Sequence, residues 1–282
     1  VMFKNIIFLF GALIMISCSS ESIANSEYFD YKNQKIFFGN YGDKKNPDVL
    51  FIHGLMGSST SFDEIINSLI NEYYVTAIDL PGHGKSNLNI NFTIEELSNV
   101  VEMFIEDKFD GDFSIVGYSL GGTITNNLLS KNLNINSAVL IDPWFSNNTT
   151  IDLAAFKLLG FVEKREKNNW VSYKDSEKYV QNMNPKLSEK QNESISKNRF
   201  EYDINVWDSD IQKGTLIKNL TSPIKTPTIL IKPESSLVRE SQIEKLKNNY
   251  LSFKINEIPR TSHMVIFESS LEVSKLISKH IK

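Results

Sequence analysis

Two hydrophobic patterns alternate along this 282-residue chain. Short continuous apolar runs at residues 48–52, 75–79, 113–116, 135–141 and 228–231 have the length and β-branched content of buried strands. Between them, apolar positions three and four residues apart over 61–70, 94–106 and 120–130 predict amphipathic helices, the second one started by Thr93 with Glu96 three residues on. A strand that is apolar at every position must be covered on both faces, so the alternation predicts an α/β fold with a mainly parallel central sheet. Residues 28–31 and 35–40, around the polar break Lys32-Asn33-Gln34, read as an opening strand pair, and 251–257 as a late strand.

The alternation lapses between residues 143 and 222, where helical patterns at 153–161, 176–183, 189–200 and 211–220 are not separated by any buried strand. This stretch reads as a helical insertion, with the sheet-forming core over 28–142 and 223–282. The first residues are different again. Lys4 precedes an apolar run over 6–16 that is too short to span a bilayer comfortably, and Ser17-Cys18-Ser19-Ser20 follows. Residues 1–17 read as a signal peptide and 18–27 as a polar linker. Met15-Ile16-Ser17-Cys18 resembles a bacterial lipobox, which implies that Cys18 carries lipid and tethers the protein to a cell-envelope membrane, on its periplasmic or outer face. An ordinary signal peptide with an incidental cysteine is the competing reading.

Candidate chemistry begins where the run 113–116 meets a helical pattern through Gly117-Tyr118-Ser119-Leu120-Gly121. A serine on a sharp strand-to-helix turn needs glycine on both sides, because side chains there would collide with the neighbouring strand and helix. Ser119 is therefore a nucleophile candidate, with the Leu120 amide at a helix N-terminus facing any developing oxyanion. Upstream, the strand 48–52 runs into His53-Gly54-Leu55-Met56-Gly57, and 75–79 runs into Leu80-Pro81-Gly82-His83-Gly84-Lys85-Ser86.

These three ordered motifs together resemble the α/β-hydrolase superfamily, over about residues 28–282. The resemblance implies a serine nucleophile at Ser119, a second oxyanion donor at the Leu55 amide, and a catalytic histidine near the end of the chain. His263, in Thr261-Ser262-His263-Met264, occupies that place, with Ser262 where the family commonly has glycine and with Met264 and Glu268 matching. His53 and His83 read as loop-shaping residues, and His280 lies near the tail. The acid is less clear. Superfamily members commonly place an aspartate after strand seven, where this chain has Pro233-Glu234-Ser235-Ser236. Asp142, closing the preceding strand, and Glu234 compete for the role. A subset resembling small YbfF-type esterases has the acid after strand six and a serine after strand seven, which favours Asp142 with Ser236 as an auxiliary donor. The insertion 143–222 corresponds to a cap over the nucleophile, and Trp144, Phe145, Phe156, Phe161 and Trp207 are its candidate pocket residues.

Composition narrows the function classes. Net charge of −4 with both signs interspersed gives no basic footprint for nucleic acid. A single cysteine excludes an intramolecular disulfide and a thiolate metal cluster, and the expected chemistry needs no cofactor. Serine at the elbow points away from the carboxylate-nucleophile reactions of the superfamily and toward acyl transfer, with a small acyl ester as substrate. Thioester, lactone and carbon–carbon hydrolysis share the same constellation, as do perhydrolase and acyltransferase reactions. A non-catalytic, lipid-anchored binding module is the reading from another class.

Overall fold

The computed structural model describes residues 25–147 and 149–281, so the signal segment and Cys18 lie outside the described residues. The middle layer is an eight-stranded sheet. In chain order its strands are β1 (Asn25–Tyr31), β2 (Gln34–Tyr41), β3 (Asp48–Ile52), β4 (Tyr74–Ile78), β5 (Phe113–Tyr118), β6 (Ile135–Ile141), β7 (Thr228–Pro233) and β8 (Phe253–Ile258). Spatial order is β1-β2-β4-β3-β5-β6-β7-β8. The β1–β2 and β2–β4 pairs are antiparallel and the rest are parallel, so the carboxyl ends of β3 to β8 line one edge. The linker expected over 18–27 gives way to β1 from Asn25.

Period-two alternation sends successive residues of each central strand to opposite layers. Val49 and Phe51 pack with Ile65 and Ile66 of α1 (Asp63–Leu69) and with Val273 and Ile277 of α9 (Ser270–His280). Leu50 and Ile52 pack with Leu97 and Val101 of α2 (Ile94–Lys108) and with Ile124 of α3 (Leu120–Leu128). All these side chains are fully or almost fully buried, which is why their runs show no polar alternation.

After β6 the chain leaves the sheet for α4 (Thr150–Lys167), α5 (Tyr173–Met183) and α6 (Glu189–Glu201), each opened by an N-cap serine or threonine. It returns through β7, α7 (Glu240–Asn249), β8, α8 (Val265–Glu268) and α9. One expected helix is absent. Over 211–220 only a single 3₁₀ turn forms, Ile211–Gly214. Beyond it the side chain of Asn249 holds the backbone, accepting from the Leu220 amide (3.3 Å) and donating to the Lys218 carbonyl (2.8 Å), so those groups need no helical ladder.

Candidate active site

The carboxyl edge of the sheet is assembled from three loops with unusual backbones. Ser119, between β5 and α3, has φ +53° and ψ −116°, a conformation costly for any residue with a side chain. Its amide donates to the Ile141 carbonyl (2.9 Å), and its own carbonyl accepts from Trp144 (3.1 Å). The flanking glycine is demanded by space: a Cβ on Gly121 would sit 2.0 Å from the Ile52 carbonyl oxygen. From the side, Gly54 approaches so closely that a Cβ there would lie 2.9 Å from that of Ser119.

Ser119 is joined to a histidine and a carboxylate. His263 lies with Nε2 3.0 Å from Ser119 Oγ and Nδ1 2.7 Å from Asp142 Oδ2. Asp142 is fully buried and strained as well, with φ +37° just beyond β6. Its Oδ1 accepts from the Ser236 hydroxyl (2.5 Å) and from the Leu237 amide (3.1 Å), so the loop after β7 supplies donors rather than the acid. With Asp142 as acceptor, Nδ1 bears the ring proton and Nε2 faces the serine hydroxyl as acceptor. Glu234 is elsewhere. Its carboxylate accepts from the Arg260 amide (2.7 Å) at the surface and does not reach His263.

The histidine is held by groups that no motif indicates. Tyr118 stacks on its ring, with centroids 5.1 Å apart and planes at 25°, and donates its hydroxyl to the His263 carbonyl (2.7 Å). Burial pushes the Tyr118 phenol above its usual range, so it stays a donor. Serine at 262 also gains a reason. Its amide and hydroxyl both donate to Glu268 (2.6 and 2.8 Å), and its hydroxyl accepts from the Met264 amide (3.2 Å), which ties the histidine loop to α8.

The remaining loops flank the serine. A Gly57-to-Gly54 hydrogen bond (3.0 Å) closes the turn carrying Leu55, with Met56 at φ +62°. Leu120 is the first residue of α3, ahead of that helix's i→i−4 ladder. His53 is buried, its Nε2 accepting from the Leu80 amide (2.9 Å) and its Nδ1 donating to the Gly54 carbonyl (2.7 Å). It thereby joins the loops after β3 and β4. Burial pushes it down to about 4 and the neighbouring His83 to about 3, so both rings are neutral at physiological pH. Asp79 receives the amides of Ser59 (2.7 Å) and Lys85 (2.9 Å) and braces the same two loops.

The fold has counterparts. A family model described as the alpha/beta hydrolase fold matches residues 47–165. Among solved structures, a thioesterase domain from the curacin biosynthetic pathway superposes with a TM-score of 0.72 at 16% identity, covering 91% of this chain and 99% of that one. The fold is the α/β-hydrolase fold. Sequence relatives are more partial. The pimeloyl-[acyl-carrier protein] methyl ester esterase of Nitrosomonas europaea is 33% identical over 78 residues, which is 28% of this chain and 29% of that protein. Ethanol acetyltransferase 1 of Wickerhamomyces anomalus is 22% identical over 86% of this chain and 70% of its own length.

As the α/β-hydrolase topology allows, residues following β6 lie over the nucleophile. A cavity of about 460 Å³ opens on Ser119 and His263, with Leu55, Met56 and Tyr118 on the core side and Trp144, Phe145, Phe156 and Trp207 on the other. The aromatics form a column: Trp144 stacks on Phe156 (5.3 Å, 14°), Phe156 leans on Trp207 (5.0 Å), and the Trp207 indole donates to Tyr202 (3.2 Å). Phe161 is a correction. It is 64% exposed and lines no part of this cavity, because α4 turns Phe156, Gly160 and Glu163 inward and residue 161 falls off that stripe. The cavity has two polar pairs that sequence reading did not single out. Arg239 donates to Asp152 (2.7 Å) at its rim, and Arg199 donates to the buried Glu163 (2.8 Å) on its wall.

Proposed function

We propose that this protein is a serine hydrolase that cleaves carboxylic esters through an acyl-enzyme on Ser119. The observation that carries the reading is His263, bridging the strained serine (3.0 Å) and the buried Asp142 (2.7 Å). In this mechanism Ser119 Oγ attacks the ester carbonyl while His263 Nε2 takes its proton, and Asp142 stabilises the imidazolium that forms. The tetrahedral oxyanion is received by the amides of Leu55 and Leu120. Collapse expels the alcohol, which leaves with the proton from His263. Water then enters, gives its proton to His263 and attacks the acyl-serine. The carboxylic acid departs, and the proton returns to Ser119. The apolar cavity holds the acyl group.

Turnover of a graded panel of p-nitrophenyl esters tests this. Ser119→Ala, with an unchanged melting temperature, should lose activity by roughly a million-fold, the scale of nucleophile removal in such triads. A folded Ser119→Ala protein with most of its esterase activity would overturn it. The long alignment to an acetyltransferase favours one second reading, in which an alcohol instead of water resolves the same acyl-enzyme. Mixed-ester product at moderate ethanol concentration distinguishes that outcome from simple hydrolysis.

The Cys18 lipobox reading extends the proposal to location: cleavage before Cys18, its lipidation, and tethering to a bacterial envelope membrane. Among the described residues no helix is long and apolar enough to cross a membrane. Cys18→Ser should move the protein to the soluble fraction or stall its processing; unchanged mass and membrane association would count against the anchor.

A further inference from the structure

Helix α4 is amphipathic in an inverted sense. Its buried positions are Phe156, Gly160 and Glu163, two of which are not large apolar residues. Its apolar stripe, Ile151, Ala155, Leu158, Leu159 and Val162, faces outward at helical spacing, and Leu158 is 64% exposed. Single exposed leucines are ordinary, whereas a run of them along one helix marks a surface that something apolar covers.

Ala155, Leu158, Leu159 and Val162 of that stripe form one side of a second cavity of about 640 Å³, whose far side is Tyr179, Asn182 and Met183 of α5. The groove and the catalytic cavity lie on either side of the same residues. Ala155, Leu159 and Arg199 border both. The shared wall bears no uncompensated charge. One nitrogen of the Arg199 guanidinium donates to both oxygens of Glu163 (2.8 and 2.9 Å), Tyr179 donates to the same carboxylate (3.1 Å), and the guanidinium lies over the Tyr179 ring. An aliphatic chain crossing there meets Ala155, Leu159 and the apolar stem of a neutralised arginine. From Ala155 to Val162 the groove follows α4 for about 10 Å.

We propose that this groove is the distal half of the acyl site, seating the far end of the acyl chain while its carbonyl sits at Ser119. The substrate class is then esters of long, unbranched aliphatic acids. The inference rests on the serine-hydrolase reading above and adds to it a binding surface and a chain-length preference. Leu159 and Arg199 are the positions where a chain passes from one cavity to the other.

The test is the ratio of kcat/KM for dodecanoyl over butanoyl p-nitrophenyl esters in the full chain. Each methylene seated in the groove should raise kcat/KM roughly fourfold, so the wild-type ratio should be well above one. Leu158→Glu and Met183→Lys alter exposed side chains that border only the groove, and each should lower the ratio about tenfold or more. Leu159→Trp, which narrows the passage, should do the same. Butanoyl turnover with a ratio at or below one, or a ratio unmoved by all three substitutions, overturns the groove assignment alone. Absence of turnover on both esters, with Ser119→Ala indistinguishable from wild type, removes the hydrolase reading and the groove with it.

Discussion

Asp142 is fixed by three donors and a strained backbone at once. His263, Ser236 and the Leu237 amide converge on its two oxygens, and among the described residues no other carboxylate is hydrogen-bonded to the histidine ring. Asp142→Asn should therefore lower kcat by around 10⁴ by allowing the wrong histidine tautomer, while Glu234→Gln, whose partner is the exposed Arg260 amide, should cost less than tenfold. Steady-state kinetics on the two folded variants rank the candidates directly. Tyr118→Phe removes one buried hydroxyl bonded to the His263 carbonyl; the expected loss is about 1 kcal/mol in stability, read by denaturant titration, with a modest fall in kcat. At this scale the sequence is uneven. Ser119 is readable because the backbone around it admits few residue types, and His263 because the resemblance of the motifs implies a histidine near the end of the chain. The choice between Asp142 and Glu234 is legible only through that resemblance, which favours Asp142; both follow parallel strands, and the three-dimensional placement of the strand ends shows which one meets the imidazole. Tyr118 occupies the unrestricted position of its motif and leaves no signal at all.

Helix α4 shows why elements are harder to read than motifs. It runs from Thr150 to Lys167, well beyond the apolar segment that suggested it, and its packed face includes a glycine and a glutamate. Apolar periodicity consequently points to the outward stripe, and Phe161, named as an aromatic of the insertion, does not enter the pocket. Gly160 is inward because the Trp207 ring lies against it, leaving 3.0 Å to a built Cβ, and Glu163 is inward because Arg199 and Tyr179 satisfy it. Neither reason can be seen in a one-dimensional pattern. The contrast gives a paired prediction. Phe156→Ala, which breaks the aromatic column, should cost roughly 3 kcal/mol or more in stability and change acyl selectivity. Phe161→Ala should stay within about 0.5 kcal/mol of wild type in the same titration.

For the whole molecule, the alternation of buried runs and amphipathic helices is enough to announce a covered parallel sheet, because burial on both faces leaves strands without polar positions. The antiparallel docking of β2 on β4, and the irregular path after Gly214, depend on partners distant in sequence. The buried histidines carry a global consequence. Above pH 6.5 His53 and His83 are neutral in both folded and unfolded chains. Below it the unfolded chain takes up protons that the fold excludes until about pH 4 and about pH 3, so stability falls with pH through that window. The slope is on the order of 1.4 kcal/mol per pH unit for each ring. His83→Asn should flatten the decline, as measured by denaturant midpoints between pH 7 and 4; a parallel decline in the variant would show that the ring is not responsible.

The central claim concerns one oxygen atom, and covalent labelling examines it most directly. Treated with a fluorophosphonate, the folded protein should gain a single phosphonyl adduct, located by peptide mass spectrometry on Ser119, and Ser119→Ala should gain none. An unlabelled wild type, or an adduct of equal yield in Ser119→Ala, would contradict the account.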